Sequence, residues 1–155
     1  VVEPSERPEP VKKPYEKKPF ESTGKPSDTS ANLYMSMLTS PAWKSLSAQQ
    51  QALYLCCKAQ YYGEKIKPEG NPEYFTMNKG KWCNLYGLYD ENNGKGFRRD
   101  MGKLIEKGFI ACVECGAVTR TKTIYRFSDK WQQYGNDRFQ VLPSEMTLAM
   151  QRKAK

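Results

Sequence analysis

Residues 92–110 read NNGKGFRRDMGKLIEKGFI, and this stretch decides how the rest of the chain is understood. Phe97, Met101, Leu104 and Ile105 fall at i, i+4, i+7 and i+8, the spacing of one apolar helical stripe. Lys95, Arg98, Arg99 and Lys103 lie off that stripe and are predicted to face outward. Asn92 or Asn93 can accept from the first free amides as an N-cap. Gly108 sits where a left-handed C-terminal residue is wanted, just after Lys107 in the last turn. Phe109 and Ile110 then open a strand-like run. A basic amphipathic helix that stops at Gly and feeds a strand has the layout of a recognition helix leading into a wing.

Working outward, the downstream pattern turns to period two. Residues 109–113 and 123–127 are strand candidates joined by ECGAVTRTK, with Gly116 as turn residue and Arg120 and Lys122 near the tip. Ser128 or Asp129 can cap a short helix holding Trp131 and Tyr134, and Ser144 a last helix, SEMTLAMQRKA. Upstream, Asn78 is a candidate cap for a helix over KGKWCNLY, with Trp82, Leu85, Tyr86 and Tyr89 inward and Gly87 at its end. That helix and the basic one are separated by a short Gly-containing turn, which is helix-turn-helix order. Residues 74–77 suit a short strand and residues 63–73 a loop. Ser47 with Gln50 forms a capping-box pattern for a helix ending near Gly63, and Ser40-Pro41 suits a shorter helix start. LYMSML, residues 33–38, alternates loosely and is read as a first strand, with Leu33, Met35 and Met37 on one side.

Hydrophobic residues make up 38% and aromatics 12%, enough for a core. Lys and Arg number 25 against 17 acids, a net charge of +8. Residues 1–30 carry six of each sign, so the whole excess belongs to the remainder. A folded part that basic favours nucleic acid first and anionic lipid second, against a merely soluble basic surface. The first 30 residues are Pro-rich and of mixed charge, with too little apolar surface to offset ordering, and read as a disordered tail. The domains expected are a tail over 1–32, a DNA-binding domain over 33–135, and a linker with a short helix over 136–155.

The chain contains no His. Nucleophilic catalysis through Ser–His or Cys–His is thereby excluded, as are His-dependent metal sites and nicking chemistry that pairs Tyr with a His-bound metal. No paired acid–base constellation stands out, so no enzyme and no cofactor are expected. Five Cys, odd in number and with Cys56 and Cys57 adjacent, do not make a disulfide framework and suggest a reducing, cytoplasmic setting. Cys112 and Cys115 form a CxxC, but Cys56-Cys57 is a poor second pair for zinc, since neighbours on a helix point about 100° apart. Cys56, Cys57 and Cys83, and Trp43, Trp82 and Trp131, are read as core. No apolar run suits a membrane span, no signal-peptide pattern opens the sequence, and a first residue Val rather than Met points to an excerpt or a processed form.

A strand, a helix, a helix-turn-helix and a hairpin in this order resemble a winged-helix DNA-binding domain, an α+β fold, mostly α with a β-hairpin wing. The sequence is similar to such domains of plasmid and mobile-element replication initiators and of Gram-positive phage replisome organisers. SPAWKSLSAQQQALYL, the helix pair, LIEKGFI and YRFSDKW carry the likeness, over roughly residues 33–134. The resemblance implies that the second helix of the pair enters the major groove and that the wing touches backbone or minor groove. The turn YDENNGKG is longer and more Gly-rich than the family's, leaving open whether residues 92–96 are turn or first helical turn. The tail and the last helix fall outside the likeness.

On this reading Arg98 and Arg99 suit bidentate contacts to guanine, and Asn92 or Asn93 to adenine. Lys79, Lys81, Lys95 and Lys103 suit phosphates, as do Arg120 and Lys122 on the wing. The competing account is that Arg98 and Lys103 solvate a helix face and pair with Asp100 or Glu106. The function expected is non-catalytic binding of double-stranded DNA, in replication initiation or transcriptional control on a plasmid, phage or mobile element. The alternative is a winged-helix module for protein partners, docking through the tail or the last helix. A homodimer is compatible with either.

Overall fold

The computed structural model describes residues 20–61, 70–116 and 122–153. Residues 1–19 of the expected tail, Gly63 and Arg120 lie outside the described residues. The fold is mixed α+β, with short helices around a three-stranded antiparallel sheet.

The first element corrects the sequence reading. Residues 33–38 do not form a strand; Met35–Leu38 is a single helical turn, α1. The hydroxyl of Thr39 donates to Met35 O at 2.9 Å and that of Ser40 to Met37 O at 2.6 Å, so local side chains close the turn and no partner strand is needed. Met35 and Met37, expected on one side of a strand, separate: Met35 is 71% exposed and Met37 is buried. Ser40 then accepts from Trp43 N and Pro41 takes the first position of α2 (Pro41–Lys44). The helix α3 (Ala48–Lys58) opens on the expected capping box, Ser47 with Gln50. It closes at Lys58 rather than near Gly63, with Gln60 and Tyr61 continuing in bonds to Cys57 O and Lys58 O.

Residues Gly80–Leu85 coil as a π-turn, with Asn78 Oδ1 accepting from Lys81 N at 3.1 Å. The wider coil shifts the phase of the side chains. Trp82 points inward, but Leu85, predicted inward, is 67% exposed. Gly87, at a φ of 61°, ends the turn. The principal helix, α4, spans Gly94–Glu106 and buries Phe97, Met101, Leu104 and Ile105, the stripe read from the sequence.

Gly108 terminates α4 at a φ of 85°. A Cβ there would also lie 2.6 Å from Trp131 N and 2.7 Å from Lys130 C. Glycine is therefore required twice, for the left-handed turn and for the close approach of residues 130–131. The strand β2 (Ile110–Glu114) follows and pairs with β3 (Ile124–Phe127), with a bulge between Cys112 and Glu114. β1 (Tyr74–Phe75) joins the far side of β3, giving the order β1-β3-β2. A 3-10 turn at Lys130–Gln133, another at Pro143–Glu145 and the helix α5 (Leu148–Lys153) complete the chain. Ser144 does not cap the last helix. Pro143 starts a separate turn, and Thr147 Oγ1 accepts from Met150 N at 3.4 Å instead.

Aromatic contacts organise the core. Trp43, Tyr54, Phe109 and Trp131 interlock between α2, α3 and the end of α4. Phe75, Tyr125 and Phe127 stack across the sheet, and Trp82, Tyr89 and Phe97 pack the π-turn onto α4. Among the described residues no helix is long and apolar enough to cross a membrane.

Candidate nucleic-acid interface

The front end of α4 is settled by its cap. Asn93 is the N-cap, its Oδ1 accepting from Gly96 N at 3.1 Å. A Cβ on Gly96 would stand 2.7 Å from that oxygen, so the glycine makes room for the cap. Asn92 lies exposed in the preceding turn. Of the two asparagines, Asn93 therefore spends its side-chain oxygen on the helix, whereas Asn92 presents its side chain to solvent.

Lys95, Arg98, Arg99 and Lys103 are all exposed along α4. Lys95 and Arg98 form no ion pair among the described residues. Arg99 Nε reaches Asp100 Oδ1 at 3.3 Å, and Lys103 Nζ reaches Glu106 Oε2 at 3.1 Å. Lys79 pairs with Glu91 at 3.1 Å. The Lys103–Glu106 and Lys79–Glu91 pairs are exposed on both sides and worth roughly 0–1 kcal/mol, so a phosphate can compete for those two cations, whereas the Asp100 partner of Arg99 is buried.

Lys81 is placed differently. Its Nζ donates to Gln60 Oε1 at 2.6 Å, Thr76 Oγ1 at 2.8 Å and Thr76 O at 3.0 Å. An ammonium has three N–H donors, so these acceptors match its whole capacity. Lys81 thus ties the π-turn to Thr76, just after β1, and to Gln60, just beyond α3. Lys122, at the foot of the β2–β3 connection, is exposed. Arg98 and Lys122 line one surface hollow of about 590 Å³, together with Thr76, Asn78, Trp82 and Tyr125. A larger groove, about 830 Å³, is lined by Tyr34, Lys58, Tyr61, Arg126 and Trp131 among others and holds none of the predicted contact residues.

Three polar anchors that sequence reasoning missed hold α4 and the segment before it in place. Asp100 is 1% exposed and accepts from Tyr89 OH at 2.6 Å, Gln50 Nε2 at 3.1 Å and Arg99 Nε at 3.3 Å. Its signal was visible: an acid three residues after Phe97 and four before Leu104 sits in the apolar phase and calls for buried donors. Gln49 Nε2 donates to Leu88 O at 2.7 Å, and Lys107 Nζ to Ser45 O and Oγ, both at 2.8 Å. Burial, then the hydrogen bond to Asp100, pushes the Tyr89 hydroxyl well above its ordinary pKa.

Burial and the neighbouring Cys115 push the Cys112 thiol up to about 11, and burial raises Cys57 further still. Both are held as thiols rather than thiolates at neutral pH. Among the described residues no group of three or more Cys, Asp or Glu is arranged to hold a metal ion. No protein-family model matches the chain, and neither a curated protein nor a solved structure shows a significant match.

Proposed function

We propose that residues 33–135 form a winged-helix domain that binds double-stranded DNA without catalysis. α4 enters the major groove, and the β2–β3 hairpin lies over the flanking backbone. The observation that carries this reading is the shared hollow: Arg98 from α4 and Lys122 from the hairpin present cations on one side of the domain. The strand order and the succession α3, β1, π-turn, α4, β2, β3 also support it. On this arrangement Arg98 and Arg99 read base edges, and Lys95, Lys103, Lys79 and Lys122 hold phosphates. The resemblance to replication initiators and replisome organisers makes replication initiation, or transcriptional control, on a plasmid, phage or mobile element the biological setting we favour.

The test is fluorescence anisotropy of the full chain on labelled duplex across a salt series. If about six phosphates are neutralised, log K should fall with log[salt] at a slope of roughly −5. Lys95→Glu/Arg98→Glu should abolish binding while leaving the circular dichroism melt intact, since both side chains are exposed and neither forms an ion pair among the described residues. Absence of duplex binding at low salt would refute the proposal and leave the protein-docking module as the reading to pursue.

A further inference from the structure

The apolar stripe of α4 leaves position 102 on the outward half of the helix, between Arg98 and Glu106. Gly102 is nevertheless buried. What covers it is α5: a Cβ on Gly102 would stand 3.8 Å from Met150 Sδ and 3.9 Å from Met150 Cγ. Through Met150, α5 thus rests on the flank of α4, about one turn beyond Arg98.

The segment leading to α5 is firmly anchored. Glu145 is buried, pairs with Lys130, and lies 3.8 Å from Arg126. Its turn, Pro143–Glu145, packs against β2. Gln151 Nε2 donates back to Pro143 O at 2.7 Å and Met146 O at 3.3 Å, fixing α5 on that turn. α5 itself, LAMQRK, carries no acid and ends in Arg152 and Lys153. Both are exposed, and neither has an ion pair or side-chain hydrogen bond among the described residues.

We infer that α5 is a second DNA-contacting element, with Arg152 and Lys153 binding backbone phosphates of the duplex that receives α4. The inference rests on the DNA-binding reading above. Its geometry follows from two widths. Packed helices lie about 8–10 Å apart axis to axis. The major groove is about 12 Å wide, so its phosphate walls stand only about 6 Å from a helix centred in it. A helix seated beside α4 therefore lies over a groove wall rather than in the groove, where phosphates, not base edges, are within reach. Glycine at position 102 brings α5 close without blocking the first two turns of α4, which carry Lys95, Arg98 and Arg99.

The experiment uses the full chain and the same duplex. Arg152→Ala/Lys153→Ala removes two cations from the surface and should leave the thermal melt unchanged. Two lost phosphate contacts should make the salt slope shallower by about 1.8 and weaken binding roughly tenfold to sixtyfold at about 0.1 M salt. Gly102→Leu, whose side chain lifts Met150 off α4, should reproduce that loss with Arg152 and Lys153 still present. If the wild type binds and Arg152→Ala/Lys153→Ala keeps its slope, the inference fails alone. Tighter binding by that variant also overturns it and makes α5 an obstruction. If the wild type does not bind duplex, the DNA-binding reading fails and this inference with it.

Discussion

Replacing Asp100 by alanine should cost the fold about 3–5 kcal/mol, and the reason lies in which partners can escape. Asp100 accepts three hydrogen bonds, but they are not equivalent. The Arg99 side chain is 68% exposed and returns to water at little cost. Tyr89 cannot follow, because its ring is held edge-on between Trp82 and Phe97. Gln50 is also fixed, since its Oε1 is engaged by Ser47 N in the α3 capping box. Truncation leaves the Tyr89 hydroxyl and one Gln50 N–H without acceptors, at about 1–3 kcal/mol each, and a small void adds to that. Asp100→Asn keeps one acceptor and should cost about half as much. Urea unfolding followed by circular dichroism gives the difference, provided the m-value is unchanged. Tyr89→Phe supplies the decisive control. In the Asp100→Ala background it removes an orphaned hydroxyl, so the two changes should couple by about 1–2 kcal/mol in a double-mutant cycle. A loss below about 1 kcal/mol for Asp100→Ala, or strict additivity with Tyr89→Phe, would mean the network does not hold α4 as argued.

The two lysines read alike in sequence should separate by assay. Lys81→Met should lower stability by about 2–3 kcal/mol and leave the salt slope of duplex binding unchanged, whereas Lys95→Ala should leave the melt unchanged and make that slope shallower by about 0.9. Gly108→Ala forces a Cβ onto the backbone of residues 130–131 at a positive φ and should cost at least about 2 kcal/mol, read as a fall in melting temperature. The folded state favours the Cys112 thiol, so that contribution is complete below the unfolded pKa of 9.0 and is lost as pH rises to about 11. Urea midpoints between pH 9 and 11 should fall more steeply for the wild type than for Cys112→Ala, by roughly 1–3 kcal/mol across the window.

What the sequence made legible is what depends on near neighbours. The stripe of α4, the Ser47–Gln50 box, the Gly108 stop and the two strands of the hairpin all follow from spacings of a few residues, and all are present. The misreadings arise where a distant partner or a change of coil intervenes. LYMSML alternates like a strand, yet two adjacent hydroxyls curl it into a turn. Leu85 sits at an inward phase of an α-helix, but the π-turn rotates it out. Lys81 looks like any surface lysine until Gln60, 21 residues away, and Thr76 are folded beneath it. No local pattern distinguishes it from Lys79, whose pair with Glu91 remains at the surface.

The same distinction bears on how α4 is presented. Its apolar face would bury itself equally well over a range of rotations, because hydrophobic contact has little directional preference. The polar anchors remove that freedom. Asp100 is held from α3 and from the preceding turn, Gln49 fastens that turn at Leu88, and Lys107 fixes the C-terminal end to Ser45. Anchors at the middle and C-terminal end of α4, and on the segment before it, leave one orientation in which all are satisfied. In that orientation Lys95, Arg98 and Arg99 stand exposed on the first two turns, with Arg98 on the hollow that Lys122 also lines. A side chain that reads bases must be held to a fraction of an ångström and roughly 10–20°. If α4 reads bases as proposed, the buried acid on α4 serves that contact from beneath, through Arg99 and the helix it holds: loss of Asp100 should loosen discrimination between duplexes before it lowers the affinity that phosphates supply.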